Sequence, residues 1–363
     1  RFQGNPVFDQ LPNPPSTDVP TVFYGNLSTV GTSPGVFFPP SVRGFAKDGH
    51  VPTTYNYNAG IQYRLPYSLI LDMAYAGSIS RHLLNASNLN LVPFGSAWLP
   101  QNQDPTVANP TFDGNTTLPV NFYRPYIGYE NATLTAFGAT SNYNSLQVAL
   151  NRRMARGLQM GLAYTWSRAL GTASGDGDGF HPLDARKSAY GPLSFDRSQV
   201  FVFNYIYDVP KLARNNNFLD NPLGRAVFNN WQVAGITSFI SGQWDGIGYS
   251  ISGVPGATLN RRITGAETWG PRVVLTGNPN LSKDKRAIDA FIATNVFAPA
   301  QKGSVGLESP LRFVRGPGIN NWDISIYKNF PMGGEINRYI QIRCEMFNAW
   351  NHTQFSGVST GTS

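Results

Sequence analysis

Ser145-Leu146-Gln147-Val148-Ala149-Leu150-Asn151, a turn through Arg153–Gly157, and Leu158-Gln159-Met160-Gly161-Leu162-Ala163-Tyr164-Thr165-Trp166-Ser167 together decide the fold. Leu146, Val148 and Leu150 alternate with Ser145, Gln147 and Asn151. Beyond the turn, Leu158, Met160, Leu162, Tyr164 and Trp166 are opposed by Gln159, Gly161, Ala163, Thr165 and Ser167. A period of two puts successive side chains on opposite faces of a sheet. The stretch therefore reads as a hairpin with one apolar and one wet face, each arm close to the ~9–11 residues that a tilted membrane strand needs.

The same pattern recurs outward in both directions. In residues 56–64 Tyr57, Ala59, Ile61 and Tyr63 face away from Asn56, Asn58, Gln62 and Arg64, and Ser68–Ser78 follows after Leu65-Pro66. Further strands are predicted at Gln199–Asp208, Trp231–Ser241, Asn321–Phe330 and Arg338–Asn348. In the last, Ile340, Ile342, Cys344 and Met346 oppose Gln341, Arg343 and Glu345, and a charged strand face is costly unless it is wet. Arg64, Asp323, Arg343 and Glu345 are thus expected to line a lumen. Cys344 is expected to behave as a small buried hydrophobe.

Connections alternate in length: 65–67, 153–157 and 331–337 are short, 79–140, 170–197 and 242–319 are long, and 209–229 is intermediate. All long loops then emerge at one end, the arrangement of outer-membrane barrels, with short periplasmic turns and long extracellular loops. The expected fold is all-β, an antiparallel transmembrane β-barrel. Residues 1–53 and 349–363 would be loop segments on the long-loop side, flanking barrel strands within 54–348.

Composition agrees. Of 363 residues, 41% are hydrophobic, 13% aromatic and 13% charged, the last about half the share usual in soluble domains. This excludes a disordered chain, and no apolar run approaches the ~18 residues of a spanning helix. The net charge of +7 is scattered without a basic stripe, so no nucleic-acid partner is expected. One cysteine and four histidines leave few candidates for metal or general-base chemistry, and hydrolase, zinc-protease, phosphate-loop and dinucleotide motifs do not occur. No enzyme activity and no cofactor are expected. Gly175-Asp176-Gly177-Asp178-Gly179 with His181 and Asp184 is a weak calcium candidate, since an EF-hand's remaining ligands do not follow. It reads better as a solvated loop.

Particular residues then carry a family resemblance. Ser141-Asn142-Tyr143-Asn144-Ser145-Leu146-Gln147, Leu150-Asn151-Arg152-Arg153, Tyr164-Thr165-Trp166-Ser167, Phe195-Asp196-Arg197, Asn230-Trp231-Gln232-Val233, Arg315-Gly316-Pro317-Gly318, Asn321-Trp322-Asp323-Ile324-Ser325 and residues 343–352 resemble the barrel of Oar-like TonB-dependent outer-membrane receptors. The resemblance implies a wall segment of a barrel of about 22 strands, plugged in its lumen. It also implies TonB and an N-terminal plug as partners, outer-membrane lipid around the wall, and energised uptake of a solute. No plug, no TonB-gripped box and no final strand are recognised here. Trp98, Tyr123, Tyr126, Arg261, Arg262 and Trp269, in the long loops, are candidate ligand contacts. Phe195-Asp196-Arg197 is expected to anchor a loop at a strand start. Other readings remain: an adhesive or structural β-protein that self-associates through open strand edges, or a small passive porin.

Overall fold

The computed structural model describes residues 41–175, 179–214, 218–288, 290–332 and 338–358. In chain order the strands are β1 (Val42–Phe45), β2 (Thr53–Leu65), β3 (Leu69–Asn88), β4 (Ala132–Ala155), β5 (Leu158–Gly171), β6 (Gly191–Pro192), β7 (Gln199–Asp208), β8 (Trp231–Ile240), β9 (Trp244–Asp245), β10 (Val274–Leu275), β11 (Phe297–Ala298), β12 (Val314–Arg315), β13 (Ile319–Met332) and β14 (Arg338–Met346). Among the described residues three short α-helices lie between them: α1 (Ala185–Ala189), α2 (Pro222–Phe228) and α3 (Gly256–Thr264).

The wall is an antiparallel meander in the order β14-β13-β8-β7-β5-β4-β3-β2. Its register carries the period-two pattern from strand to strand. Ile61, Met73, Val148, Tyr164, Phe201 and Phe239 stand opposite one another across six strands. The adjoining row on the other face is Gln62, Asp72, Ala149, Ala163, Val202, Ser238 and Asn321, small or polar at nearly every step. The apolar face is open: Ile61 is 67% exposed, Trp166 59% and Ile342 60%. Water would not tolerate a patch of that extent, whereas lipid supplies its missing contacts. Cys344 lies on this face and is exposed, a correction to its expected burial. Lys328, also on this face, turns its ammonium onto the carbonyls of Val227 and Asn229 beside α2.

Short turns mark one rim. Arg156 (φ 49°) and Gly157 (φ 76°) form a two-residue hairpin loop, whose positive dihedrals match the twist of the flanking strands. At Gly157 an added Cβ would also lie 2.9 Å from the Asp208 carbonyl. The intermediate connection carrying α2 leaves from this same rim.

At the other rim the loops differ from the expected bounds. β3 and β4 have 20 and 24 residues, about twice what a membrane crossing needs, so the first long loop is 89–131 rather than 79–140. β1 lies inside the expected terminal loop and pairs parallel with Ala132–Thr135 of the extended β4. Residues 1–40 and 359–363 of the expected terminal segments lie outside the described residues. Among the described residues the eight wall strands do not close on themselves, and β2 and β14 form the edges of the wall.

The buried apolar core lies in the long loops. Ile247, Val273 and Val314 cluster with Tyr249, Ile292, Phe297 and Phe313, framed by the two-stranded ladders β10–β11 and β9–β12. Val92, Ala97, Leu259 and Ala266 are also buried, where residues 95–97 join the end of α3. Gly95 N–H donates to the Thr264 carbonyl and Ala97 N–H to the Gly265 carbonyl, both at 2.9 Å. Gly265 (φ 70°) comes so near Gly95 that an added Cβ would sit 2.3 Å from its Cα. No larger residue fits there.

Candidate functional site

The three long loops, 89–131, 172–198 and 241–318, bond to one another and form one cap at their rim. Asn90, fully buried, organises the first loop. Its side-chain amide donates to the carbonyls of Tyr126, Tyr129 and Glu130, and its Oδ1 accepts from Tyr126 N–H. Arg124 donates to the Asn90 carbonyl at 2.8 Å. Such bonds replace the ladder that irregular backbone lacks.

His181 joins all three loops. Leu183 N–H donates to Nδ1 at 3.1 Å, so Nε2 carries the proton and donates to the Val305 carbonyl at 2.6 Å. The ring stacks on Phe94 and meets the edge of Trp269. Burial holds the imidazole below its ordinary pKa, with Arg272 adding to the shift while the Val305 carbonyl, Asp184 and Glu308 oppose it. Both ring nitrogens are already engaged. Asp184 caps α1 by accepting from Lys187 N–H at 2.8 Å; Asp176 and Asp178 lie outside the described residues.

Arg272 adds a second link, donating to the carbonyls of Ser188 and Ser309, each at 2.9 Å. Its N–H reaches Glu308, whose other oxygen accepts from Val305 and Gly306 N–H. Burial alone would raise the Glu308 pKa, but these backbone donors outweigh it and hold the carboxyl below its usual range.

Phe195-Asp196-Arg197 fastens the cap to the wall. Asp196 is 1% exposed and accepts from Ala169 N–H (2.7 Å), the Ser198 hydroxyl (3.1 Å) and Trp244 Nε1 (3.1 Å). Arg197 donates to the Ser241 carbonyl at 2.9 Å. The expected anchor is thus formed by two residues with separate partners.

The candidate ligand contacts divide. Trp98 donates through Nε1 to the Arg261 carbonyl at 3.1 Å and carries Lys302 over its ring at 4.9 Å. Arg261 pairs with Glu267 at 2.8 Å. Tyr123 is half-buried beside Arg261, and burial pushes its phenol pKa up. The Trp269 carbonyl accepts from Thr264 Oγ1. Trp98, Tyr123 and Arg261 are brought together in the cap and Trp269 packs beside His181 there, whereas Tyr126 and Arg262 remain exposed.

On the polar wall face Arg343 and Glu345 are 3.4 Å apart and exposed, with Arg343 over the Tyr327 ring at 5.1 Å. Asp323 accepts from Asn348 N–H and the Asn321 side chain. Arg64 is exposed near the short-turn rim. The same wall borders a cavity of about 640 Å³ where Asn151, Gln159, Asn204, Asp323, Ser325 and Tyr327 gather. The loop bonds that sequence reading missed, Asn90 and Arg272 above all, join residues far apart in the chain and leave no local signal.

A comparison with curated proteins returns no match. Among solved structures, the outer membrane transporter YddB from Escherichia coli aligns with 88% of this chain at 8% identity and a TM-score of 0.41, and the match covers 32% of that protein. This chain therefore spans about a third of that transporter's length. Residues 2–363 match the model of a family described as the outer membrane beta barrel domain; in keeping with its antiparallel wall and open apolar face, the chain belongs to that family and its wall sits in an outer membrane.

Proposed function

We propose that this chain is part of the barrel of a TonB-dependent receptor, similar to the Oar-like group, that takes up a solute with energy relayed from the inner membrane. The observation that carries this reading is the cap. Three long loops share one rim and fold together around their own core, above a wall whose inner face is polar. A passive pore gains nothing from such a structure, whereas a receptor needs a shaped outer surface to meet a scarce ligand.

In this reading the cap faces outside the cell and the short turns face the periplasm. Arg262 and Tyr126 are the accessible ligand contacts; Trp98, Tyr123, Arg261 and Trp269 hold the surface in shape. Arg64, Asp323, Arg343 and Glu345 face a plug. The barrel binds and conducts, with no bond chemistry of its own. The edges at β2 and β14 pair with further wall strands.

The polypeptide that carries this segment, isolated from outer membranes, should have an intact mass of roughly 100 kDa or more, as a plugged barrel of about 22 strands requires. Cells that contain it should deplete a solute from the medium only while TonB is present. A mass near the 39.8 kDa of this chain, or depletion indifferent to TonB, overturns the reading. The first result would make self-association through the strand edges the leading alternative.

A further inference from the structure

On the outer face of the wall, the height at which lipid ends can be read from hydrogen bonds. The Tyr57 and Tyr75 hydroxyls both donate to Asn144 Oδ1, at 2.8 and 2.6 Å, while their rings stay on the exposed apolar face. Trp166 is exposed on the same face one strand over. Rings with an apolar body and a polar tip settle at the membrane–water interface. The hydrocarbon therefore ends near Asn144.

Arginines gather immediately above that line. The register sets Arg168 opposite Asn144. One step up the same face, about 7 Å, Asn142 borders a pocket of about 360 Å³ together with Thr140, Arg81, Phe180, Arg186 and Tyr190. Arg81 donates to the Ser80 carbonyl (3.0 Å) and Asn142 Oδ1 (3.4 Å), Asn142 donates to the Tyr190 hydroxyl (3.2 Å), and Arg186 lies over the Tyr190 ring at 5.4 Å. Among the described residues no carboxylate lines the pocket, and Arg81, Arg168 and Arg186 enter no ion pair. Headgroups occupy roughly the 5–7 Å outside the hydrocarbon. The cluster sits at that depth.

We propose that this pocket binds the phosphate of a membrane lipid in the leaflet on the long-loop side. Arg81 and Arg186 donate to the phosphate oxygens, and Tyr190 supplies a hydroxyl. Arg168 adds charge at the headgroup level, and the acyl chains run down the wall past Trp166 and Tyr75. Planar guanidinium groups suit phosphate by geometry as well as charge. The proposal rests on the wall spanning a membrane and is independent of energised transport.

The test uses the intact polypeptide, stripped of lipid in a non-ionic detergent and titrated with lipid A, the same glycolipid without phosphates, and inorganic phosphate, with occupancy read by native mass spectrometry. The phosphorylated lipid should bind at least about tenfold more tightly than the dephosphorylated one. R81Q/R186Q should lose about tenfold for the phosphorylated lipid alone, on the scale of a lost charge-assisted bond. Arg186 is exposed, so R186Q by itself serves as a variant that keeps the fold, checked by heat-modifiable mobility, and it should show part of the loss. Equal binding of the two lipids, or wild-type binding by the variants, overturns the proposal. Inorganic phosphate binding as tightly as the lipid would also overturn it, in favour of a free-anion site.

Discussion

In the wall, Ile61, Trp166 and Ile342 turn outward and stay exposed, while in the cap Ile247, Val273 and Val314 close on one another away from solvent. The two regions share one chain and use similar side chains in opposite ways. Lipid is as apolar as the side chains that meet it, so wall residues gain little by leaving it, and their backbone is satisfied by an unbroken ladder. The cap sits in water and must exclude it. Its backbone, irregular over most of its length, is satisfied by side chains such as Asn90, Asp196 and Arg272. A single side chain should therefore matter more in the cap, whereas in the wall the face on which it sits should decide.

The largest effect is expected at the seam between the two regions. Asp196→Ala removes a buried carboxylate and leaves donors from Ala169, Ser198 and Trp244 without their acceptor. At ~1–3 kcal/mol per stranded buried donor, the cap should lose on the order of 4 kcal/mol locally. Hydrogen exchange at the Ala169 amide and proteolysis in 172–198 should rise sharply while the barrel keeps its heat-resistant mobility. If the wall unfolds along with the cap, the two regions are one cooperative unit and the contrast fails.

Adjacent positions on β4 test the other half of the comparison. Val148 is on the lipid face and Gln147 on the wet one. Val148→Arg should cost about 3 kcal/mol in folding into vesicles, in the range found for arginine near the bilayer midplane, and Gln147→Arg close to nothing. Equal costs would mean that the apolar face does not meet lipid.

The sequence made these regions legible to different degrees, and the reason is the solvent on each side. Residues 145–167 declare themselves because lipid on one face and water on the other enforce a strict period of two. The extensions of β3 and β4 beyond Ser80 and before Ser141 do not, since both faces are wet there and Leu83, Leu84 and Asn85 break the alternation. In the cap, Trp98 and Arg261 meet across 163 positions, a pairing that no local pattern encodes. The sequence marks aromatic and cationic loop residues as candidate ligand contacts, but it does not show that Trp98, Tyr123, Arg261 and Trp269 also bond or pack within the cap. Phe195-Asp196-Arg197 was legible as an anchor because it stands at the start of a strand.

A smaller, graded effect should come from pH. His181 has a folded-state pKa below its unfolded value of about 6.5, chiefly through burial. The unfolded loops then take up a proton that the folded cap refuses. The contribution is whole above the unfolded pKa, declines as pH falls toward the folded pKa, and levels off below it. Protonation of Nδ1 would also displace the Leu183 N–H bond. Exchange at the Leu183 amide, followed from pH 7.5 to 5, should quicken beyond its intrinsic pH dependence. In His181→Phe that excess slope should vanish. Its persistence would move the switch to another group.

The smallest effect sharpens the comparison from the wall's wet face. Arg343 and Glu345 are bonded at 3.4 Å and more than two-fifths exposed, so water screens their attraction and an isolated pair contributes no more than about 1 kcal/mol. Glu345→Gln should leave the unfolding of this chain, measured by itself in detergent, almost unchanged, because the ladder to β13 persists and Arg343 keeps the Tyr327 ring. In the intact polypeptide the outcome depends on what covers that face. A plug seated on the pair would remove its water, and the uncompensated Arg343 would then cost several-fold more. Equal small effects in both would mean that nothing docks on this stretch of the lumen wall, and the polar row would serve only to keep the face wet.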